Sequence, residues 1–144
     1  MTTLNREQIK TIMPHREPML MVDAVRELVS GQRAEATLYI DPAWDLFRGH
    51  FPGDPVLPGV YAVEAMGQTA NLMLMTTPAY AGKVPLLLGI NSARFRRKIV
   101  PGDTLELHAE LASERPEKAI VTCRCTASVN GEPAAEAEIA IAMR

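Results

Sequence analysis

The sequence predicts an α+β fold in which an antiparallel sheet of about six strands curls around one long central helix. Two observations lead to this prediction. Residues 60 to 76 lack proline and are apolar on almost every side, which indicates a helix that other structure must surround. Much of the second half of the chain alternates apolar and polar residues with a period of two, which indicates strands.

The elements before the long helix follow from local signals. Asn5 and Gln8 in LNREQI have the spacing of a helix N-terminus, and Pro14 ends that helix. The apolar runs PMLMVDAVREL and QRAEATLYI predict a strand on each side of a turn at Ser30-Gly31. Residues 49 to 59 then carry six Gly or Pro in eleven positions, which predicts an ordered loop suited to binding.

The segments after the long helix predict a run of antiparallel strands. The first is LLLGINSARFRRKIV and the second is TLELHAEL. Two more alternating strands flank Asn130-Gly131, a strong hairpin signal. We expect one domain over residues 1–144. A sheet this small leaves its edges uncovered, so we also predict a dimer that continues the sheet.

Composition excludes several classes of protein. The formal net charge of −2 argues against a broadly basic nucleic-acid binder. No stretch of 18 apolar residues is present and the start lacks a signal-peptide pattern, so we expect a soluble cytoplasmic protein without membrane insertion. Cys123 and Cys125 point to the same side of one strand and are predicted to be buried free thiols. No His or Cys cluster indicates a metal site.

Candidate catalytic residues stand at the loop and on the long helix. His50 opens the Gly/Pro loop, and Glu64 interrupts the apolar helix that follows. A carboxylate in an apolar setting is costly unless it is paired or used, so we predict that His50 and Glu64 form an acid–base pair. Tyr61, Gln68 and Asn71 share the helix face of Glu64, where Gln68 can orient the carboxylate. Taken singly, His50 and Glu64 could instead be structural.

Two further features, the start of the long helix and a basic cluster, can attract negative charge. Gly59 precedes the helix, where free backbone N–H groups can polarise a carbonyl oxygen. Arg94, Arg96, Arg97 and Lys98 form a basic cluster in an acidic chain. If these residues lie on a strand, Arg94, Arg96 and Lys98 project from one side and can meet a phosphate or an acidic protein, although most such clusters are simply solvated. His15 and His108 are expected to be structural or exposed.

The segment LFRGHFPGDPVLPGVYAVEAMGQ resembles the signature of the (3R)-hydroxyacyl-[acyl-carrier-protein] dehydratases of the FabZ type. IKTIMPHREPMLMVDAV and ARFRRKIVPGDTLEL are similar to the same family in the same order, so the resemblance spans nearly the whole chain. It implies a hot-dog fold, dimers that associate into a trimer of dimers, and neither a metal nor an organic cofactor. The substrate would arrive on the phosphopantetheine arm of acyl carrier protein.

The resemblance also assigns roles to residues. It implies that His50 is the base that removes the α proton, that Glu64 of the neighbouring subunit protonates the departing hydroxyl, and that Gly59 binds the thioester carbonyl. Gln68 would support Glu64, and the basic cluster Arg94, Arg96, Arg97 and Lys98 would dock the carrier protein. Phe51 and Tyr61 are predicted to contact the substrate.

The departures from the family pattern are Glu17, Trp44 and Tyr61, together with the methionines of PHREPMLMVD and Asp45. We expect them to affect the preference for acyl chain length or the carrier surface. Glu64 stands where the related dehydratase/isomerase branch has Asp, which argues against isomerisation of the double bond. Two alternatives remain at this point: a hot-dog thioesterase, and a carrier-binding subunit without turnover.

Overall fold

A computed structural model describes residues 2–144; Met1, with which the predicted domain begins, lies outside the described residues. The helices are α1 (Arg6–Ile12) and α2 (Gly59–Met75), with short 3-10 turns at Asp45–Arg48 and Pro116–Lys118. The strands are β1 (Thr2–Leu4), β2 (Ala24–Val29), β3 (Arg33–Tyr39), β4 (Pro85–Phe95), β5 (Thr104–Arg115), β6 (Ile120–Val129) and β7 (Glu132–Met143).

The seven described strands form one antiparallel sheet in the order β1-β2-β3-β5-β6-β7-β4. Helix α2 contacts β3, β4, β5, β6 and β7, so the sheet curls around it. This confirms the predicted α+β hot-dog architecture. The count of about six strands omitted β1, because three residues are too short to show alternation.

Helix α2 is buried along most of its length because its sequence offers apolar side chains on nearly every face. Buried residues run almost without a break from Ala62 to Met75. Glu64 and Gly67 are the exceptions in that range, and they share one side of the helix. The sheet therefore covers α2 except along one stripe, and this stripe is where a site can form.

The first predicted strand is shorter than its apolar run. PMLMVDAVREL becomes a strand only from Ala24, and the residues before it follow an irregular path. There the backbone is satisfied locally, since the N–H groups of Met19 and Leu20 donate to Arg16 O at 2.9 and 3.1 Å. Gln68 binds the backbone of this segment as well, which removes the need for a partner strand.

The hairpin between β6 and β7 forms as predicted. Asn130 and Gly131 both have positive φ, 51° and 78°, as a two-residue hairpin turn of the primed type requires. Cys123 and Cys125 are buried free thiols on one face of β6, which confirms that prediction. Burial raises the pKa of the Cys123 thiol to about 12.

Helix α1 begins at the capping box that its sequence predicts. The Asn5 side chain accepts a hydrogen bond from the Gln8 N–H at 2.9 Å, and the Gln8 side chain accepts one from the Asn5 N–H at 2.8 Å. Glu17, which follows this helix, lies 3.0 Å from Arg6 and 3.1 Å from Lys10. A hydrogen bond from its own backbone N–H, together with the bonds to Lys10 and Arg6, lowers the pKa of Glu17 to about 2. The two side-chain bonds tie the loop after α1 to the helix. Within residues 2–144, no helix has both the length and the apolar character needed to cross a membrane.

Candidate active site

Glu64 is held in one orientation by Gln68, one turn further along α2. The Gln68 Nε2 donates to Glu64 Oε2 at 2.7 Å and to the carbonyl oxygen of Met19 at 2.7 Å. Its Oε1 accepts from the Met21 N–H at 2.7 Å. Gln68 is fully buried, and its bond to the Met21 N–H is shielded from water, whereas its bonds to Glu64 and Met19 are only partly buried. This confirms the predicted contact between Gln68 and Glu64, and shows that Gln68 also anchors the segment before β2.

The carboxylate of Glu64 opens into an apolar groove of about 250 Å³ between α2 and strands β4 and β7. The α2 side of the groove is Val60, Val63, Glu64, Gly67 and Asn71. The sheet side is Pro85, Leu87 and Ile90 from β4 with Ile139 and Ile141 from β7, and His15 completes the lining. Val60 is 72% exposed, whereas Asn71 is 7% exposed. On the α2 side, the groove is therefore more exposed at Val60 than at Asn71.

His15 is a member of this site that the sequence did not identify. Its Nε2 lies 3.8 Å from Glu64 Oε2, whereas the sequence predicted a structural or exposed histidine. Its Nδ1 is buried without a hydrogen-bond partner among the described residues. Burial lowers the pKa of His15, and the Glu64 carboxylate opposes that shift in part. The only sequence signal was its position in MPHREP, because 49 residues separate it from Glu64.

His50 is oriented by the Gly/Pro loop that it opens. Its Nδ1 lies 2.7 Å from the carbonyl oxygen of Val56. A carbonyl only accepts hydrogen bonds, so Nδ1 carries the proton and Nε2 of the neutral ring has a free lone pair. The His50 and Phe51 rings stack with centroids 4.0 Å apart. Backbone bonds from Val56 N–H to His50 O and from Leu57 N–H to Ile99 O hold the loop, which is ordered as predicted.

Helix α2 begins at Gly59, one residue earlier than the sequence predicted, and Pro58 is the N-cap. Proline offers no side-chain cap, so the first N–H groups of the helix are not covered from that side. A Cβ on Gly59 would lie 2.8 Å from Cε1 of Phe95. A larger residue here would displace the Phe95 ring, which packs directly against the start of the helix.

The two predicted catalytic residues do not share a cavity within the described chain. The groove lining includes Glu64 but not His50. Phe51 lines a separate depression with Trp44 and Pro55. If His50 and Glu64 act together, His50 must therefore come from another copy of the chain, as the resemblance implies.

Tyr61 lines a different cavity from Glu64, although both are on α2. It lines a cavity of about 630 Å³ on which Glu17, Trp44 and Asp45 also border, with Met19 and Met21. The residues that depart from the family pattern therefore line one cavity. That Tyr61 and Phe51 contact substrate stays a prediction.

The basic cluster differs from its predicted arrangement. Strand β4 ends at Phe95, so of the four residues only Arg94 is on the strand, and the expected alternation of Arg94, Arg96 and Lys98 on one side is wrong. The Arg96 N–H still donates to Ala134 O of β7, and the chain turns into a loop after that bond. Arg96 pairs with Glu136, and Arg97 lies 3.6 Å from Asp103 and 3.5 Å from Glu132.

Comparison with known proteins agrees with this architecture. The model of the FabA-like domain matches residues 13–138. A 3-hydroxyacyl-[acyl-carrier-protein] dehydratase FabZ from Clostridium acetobutylicum is 42% identical over 137 residues, covering 95% of this chain and 96% of the relative. The FabZ protein of Ligilactobacillus salivarius is 42% identical over 136 residues, covering 94% and 96%.

Solved structures extend the comparison to the fold. The dehydratase heterocomplex ApeI:P from Xenorhabdus doucetiae superposes with a TM-score of 0.78 at 17% identity, covering 94% of this chain and 90% of that one. At this identity the likeness concerns the fold alone. The fold, the family model and the full-length relatives together define the class: the chain belongs to the FabA-like family, among its FabZ-type dehydratases.

Proposed function

We propose that this protein dehydrates (3R)-3-hydroxyacyl thioesters of acyl carrier protein to trans-2-enoyl thioesters and water, in fatty acid biosynthesis. The observation that carries the proposal is Glu64, a carboxylate that Gln68 orients at the side of an apolar groove. The groove suits an acyl chain, and the carboxylate suits a departing hydroxyl. The FabZ relatives carry the name of this reaction.

The proposed chemistry uses two side chains and one backbone N–H. Nε2 of His50 removes the proton on C-2, and the electron pair forms the double bond as the C-3 hydroxyl leaves. Glu64 gives its proton to that hydroxyl, which departs as water. The N–H of Gly59 stabilises negative charge on the thioester oxygen. The proton on His50 then returns Glu64 to its acid form, so the cycle needs neither a metal nor an organic cofactor.

A second copy of this chain is proposed to cover the groove. Strand β4 pairs only with β7 and so ends the sheet. Leu86, Leu87 and Leu88 are consecutive and are all at least half exposed, so both faces of this edge are apolar. A free apolar edge is suited to pairing with another strand. Pairing of β4 with its copy would cover the groove of Glu64 and bring in His50 from the other subunit.

The activity is tested by following enoyl-thioester absorbance with crotonyl thioesters of carrier protein and of coenzyme A. We expect His50→Asn and Glu64→Gln each to lower kcat by roughly 100- to 10,000-fold, since each removes one proton-transfer group. His108→Asn is the matched control, because His108 binds Glu35 at 2.6 Å, away from the groove. An inert wild type with both thioesters would contradict the proposed function.

The sharing of the site between subunits has its own test. We mix His50→Asn and Glu64→Gln proteins under conditions that exchange subunits. If each site takes His50 from one subunit and Glu64 from the other, a hybrid dimer has one intact site, and random mixing recovers about a quarter of wild-type activity. No recovery, with hybrids shown by native mass spectrometry, would mean that the two residues act within one chain.

The basic cluster is proposed to dock the acidic carrier protein. Arg94 and Lys98 are exposed, whereas Arg96 and Arg97 already pair with carboxylates. We expect Arg94→Glu with Lys98→Glu to raise KM for carrier-protein substrates severalfold at low salt and to leave coenzyme A thioesters unchanged. Equal effects on both substrates would exclude a docking role. Assembly into a trimer of dimers and a cytoplasmic location stay predictions, the first to be measured by analytical ultracentrifugation.

A further inference from the structure

Two side chains of the described chain meet one oxygen of Glu64. Gln68 Nε2 donates to Glu64 Oε2 at 2.7 Å, and His15 Nε2 lies 3.8 Å from the same atom. Within residues 2–144, neither contact involves Oε1. The Glu64 side chain is 32% exposed and lines the groove, so Oε1 is the oxygen left for a molecule that enters it.

The two contacts determine which oxygen of Glu64 carries the proton in the acid form. A carboxylic acid has one oxygen that bears the proton and one that is the better hydrogen-bond acceptor. Because the Gln68 N–H donates to Oε2, Oε2 is the accepting oxygen and the proton lies on Oε1. A second N–H directed at Oε2 favours the same placement, and His15 lies on that side of the carboxyl group.

The surroundings of His15 favour a neutral ring with its proton on Nε2. Nε2 faces the carboxyl group of Glu64, whereas Nδ1 has no acceptor among residues 2–144. A neutral imidazole carries one proton, and the nitrogen that faces an acceptor oxygen is the favoured position. Burial lowers the pKa of His15, so the ring is neutral near pH 7. A separation of 3.8 Å is longer than a hydrogen bond, and such contacts in active sites often shorten when substrate binds.

Arg16 holds the backbone on which His15 lies. Its Nη1 donates to the carbonyl oxygens of Met13 at 2.9 Å and His15 at 2.7 Å, and its Nη2 donates to Lys10 O at 2.9 Å. The residues that follow are bound by Gln68 of α2. The segment that carries His15 is therefore tied to α1 at one end and to α2 at the other, which fixes the imidazole beside the carboxyl group.

We propose that His15 is a second positioning residue for Glu64: the neutral imidazole directs its Nε2–H at Oε2 and so keeps the acid proton on Oε1, toward the groove. The inference rests on the proposed function, which makes Glu64 the proton donor. His15 itself transfers no proton. Within residues 2–144, His15 and Glu64 are the only titratable side chains that line the groove, so no other charged group of the lining competes for this contact.

The test compares His15→Leu with His15→Gln in the crotonyl-thioester assay. Leucine fills part of the space without a donor, whereas the amide N–H of glutamine has about the reach of the imidazole Nε2. We expect His15→Leu to lower kcat roughly three- to tenfold with KM unchanged, as for the loss of one hydrogen-bond donor in the transition state. His15→Gln, the conservative variant, should retain roughly half or more of the wild-type kcat. Equal losses in the two variants would overturn the inference.

A double variant shows whether the effect acts through Glu64. Glu64→Gln has no acid proton to place, so adding His15→Leu to it should change kcat by less than about 1.5-fold. A loss as large as in the wild-type background would show that His15 only supports the local structure, and the positioning role would be wrong.

The pH profile separates a neutral donor from a proton carrier. Between about pH 7 and pH 9, kcat of His15→Gln should follow the same pH dependence as the wild type, because glutamine does not titrate and His15 is neutral there. A changed pH dependence would show that His15 gains or loses a proton during turnover, which overturns its role as a neutral donor.

Urea unfolding checks that each variant is folded. If His15→Leu does not fold, His15→Asn replaces it, because its amide is one methylene shorter than that of glutamine and does not reach Oε2. An inert wild type would contradict the proposed function and this inference with it. An active wild type whose kcat is unaffected by His15→Leu would contradict only the inference.

Discussion

Gln68 is expected to be the most sensitive polar residue of the helix, and Gln68→Met is the variant that shows this. Methionine has a similar length but cannot accept from Met21 N–H or donate to Met19 O. Both backbone groups then lose their partner beside a fully buried side chain. The change therefore removes the hydrogen bonds that tie the segment before β2 to α2.

The magnitude follows from the Met21 N–H, because of the two unpaired groups only this one is buried. A buried backbone group without a partner costs about 1–3 kcal/mol, so we expect the free energy of unfolding to fall by about 1–3 kcal/mol. Met19 is 46% exposed and the Glu64 side chain is 32% exposed, so the carbonyl and the carboxylate can regain water and add little. Surface substitutions usually stay within about 0.5 kcal/mol, so the effect is resolved against them.

The assay is urea unfolding at one fixed protein concentration, since assembly of subunits would couple to stability. Gln32→Met is the matched control, because Gln32 is exposed in the turn between β2 and β3, and we expect a change within about 0.5 kcal/mol. A loss below about 1 kcal/mol in Gln68→Met would refute the reasoning, because the backbone groups of Met19 and Met21 would then have other partners.

Three further outcomes are expected. Burial lowers the pKa of His15 from 6.5, so below that pH the unfolded chain binds a proton that the folded protein resists, and the free energy of unfolding falls with falling pH. His15→Gln should reduce this pH dependence, measured by urea unfolding between about pH 5 and pH 7.5. An unchanged dependence on pH would contradict the shift. Gly59→Ala should lower kcat by displacing Phe95, and a second change, Phe95→Ala, should recover part of the loss if crowding by the ring is the cause. Asn5→Ala should cost about 1 kcal/mol of stability through the lost cap, measured by thermal unfolding, and no change would argue against the capping box in solution.

The parts of the fold that the sequence predicts well are those set by neighbouring residues. The capping box of Asn5 and Gln8, the turn at Asn130-Gly131 and the apolar helix α2 all form as their local patterns indicate. The contact between Glu64 and Gln68 is equally local, since residues four apart meet on a helix.

The parts that were missed depend on residues far apart in the chain. The segment before β2 is apolar enough to predict a strand, but its backbone binds Gln68, 47 residues away from Met21. The strand predicted through the basic cluster stops at Phe95, and the chain leaves β7 after the Arg96 N–H bonds to Ala134 O.

The sequence by itself determined the elements, the wrapped helix and the residue types that can move a proton, because each rests on short-range periodicity and on side-chain chemistry. Only the tertiary structure decided that His15 lies beside Glu64, that Asn71 is buried at the side of the same groove, and that His50 does not line this groove within its own chain. Those facts depend on how the sheet curls around α2. No local pattern encodes that curvature, because it results from packing among strands distant in sequence.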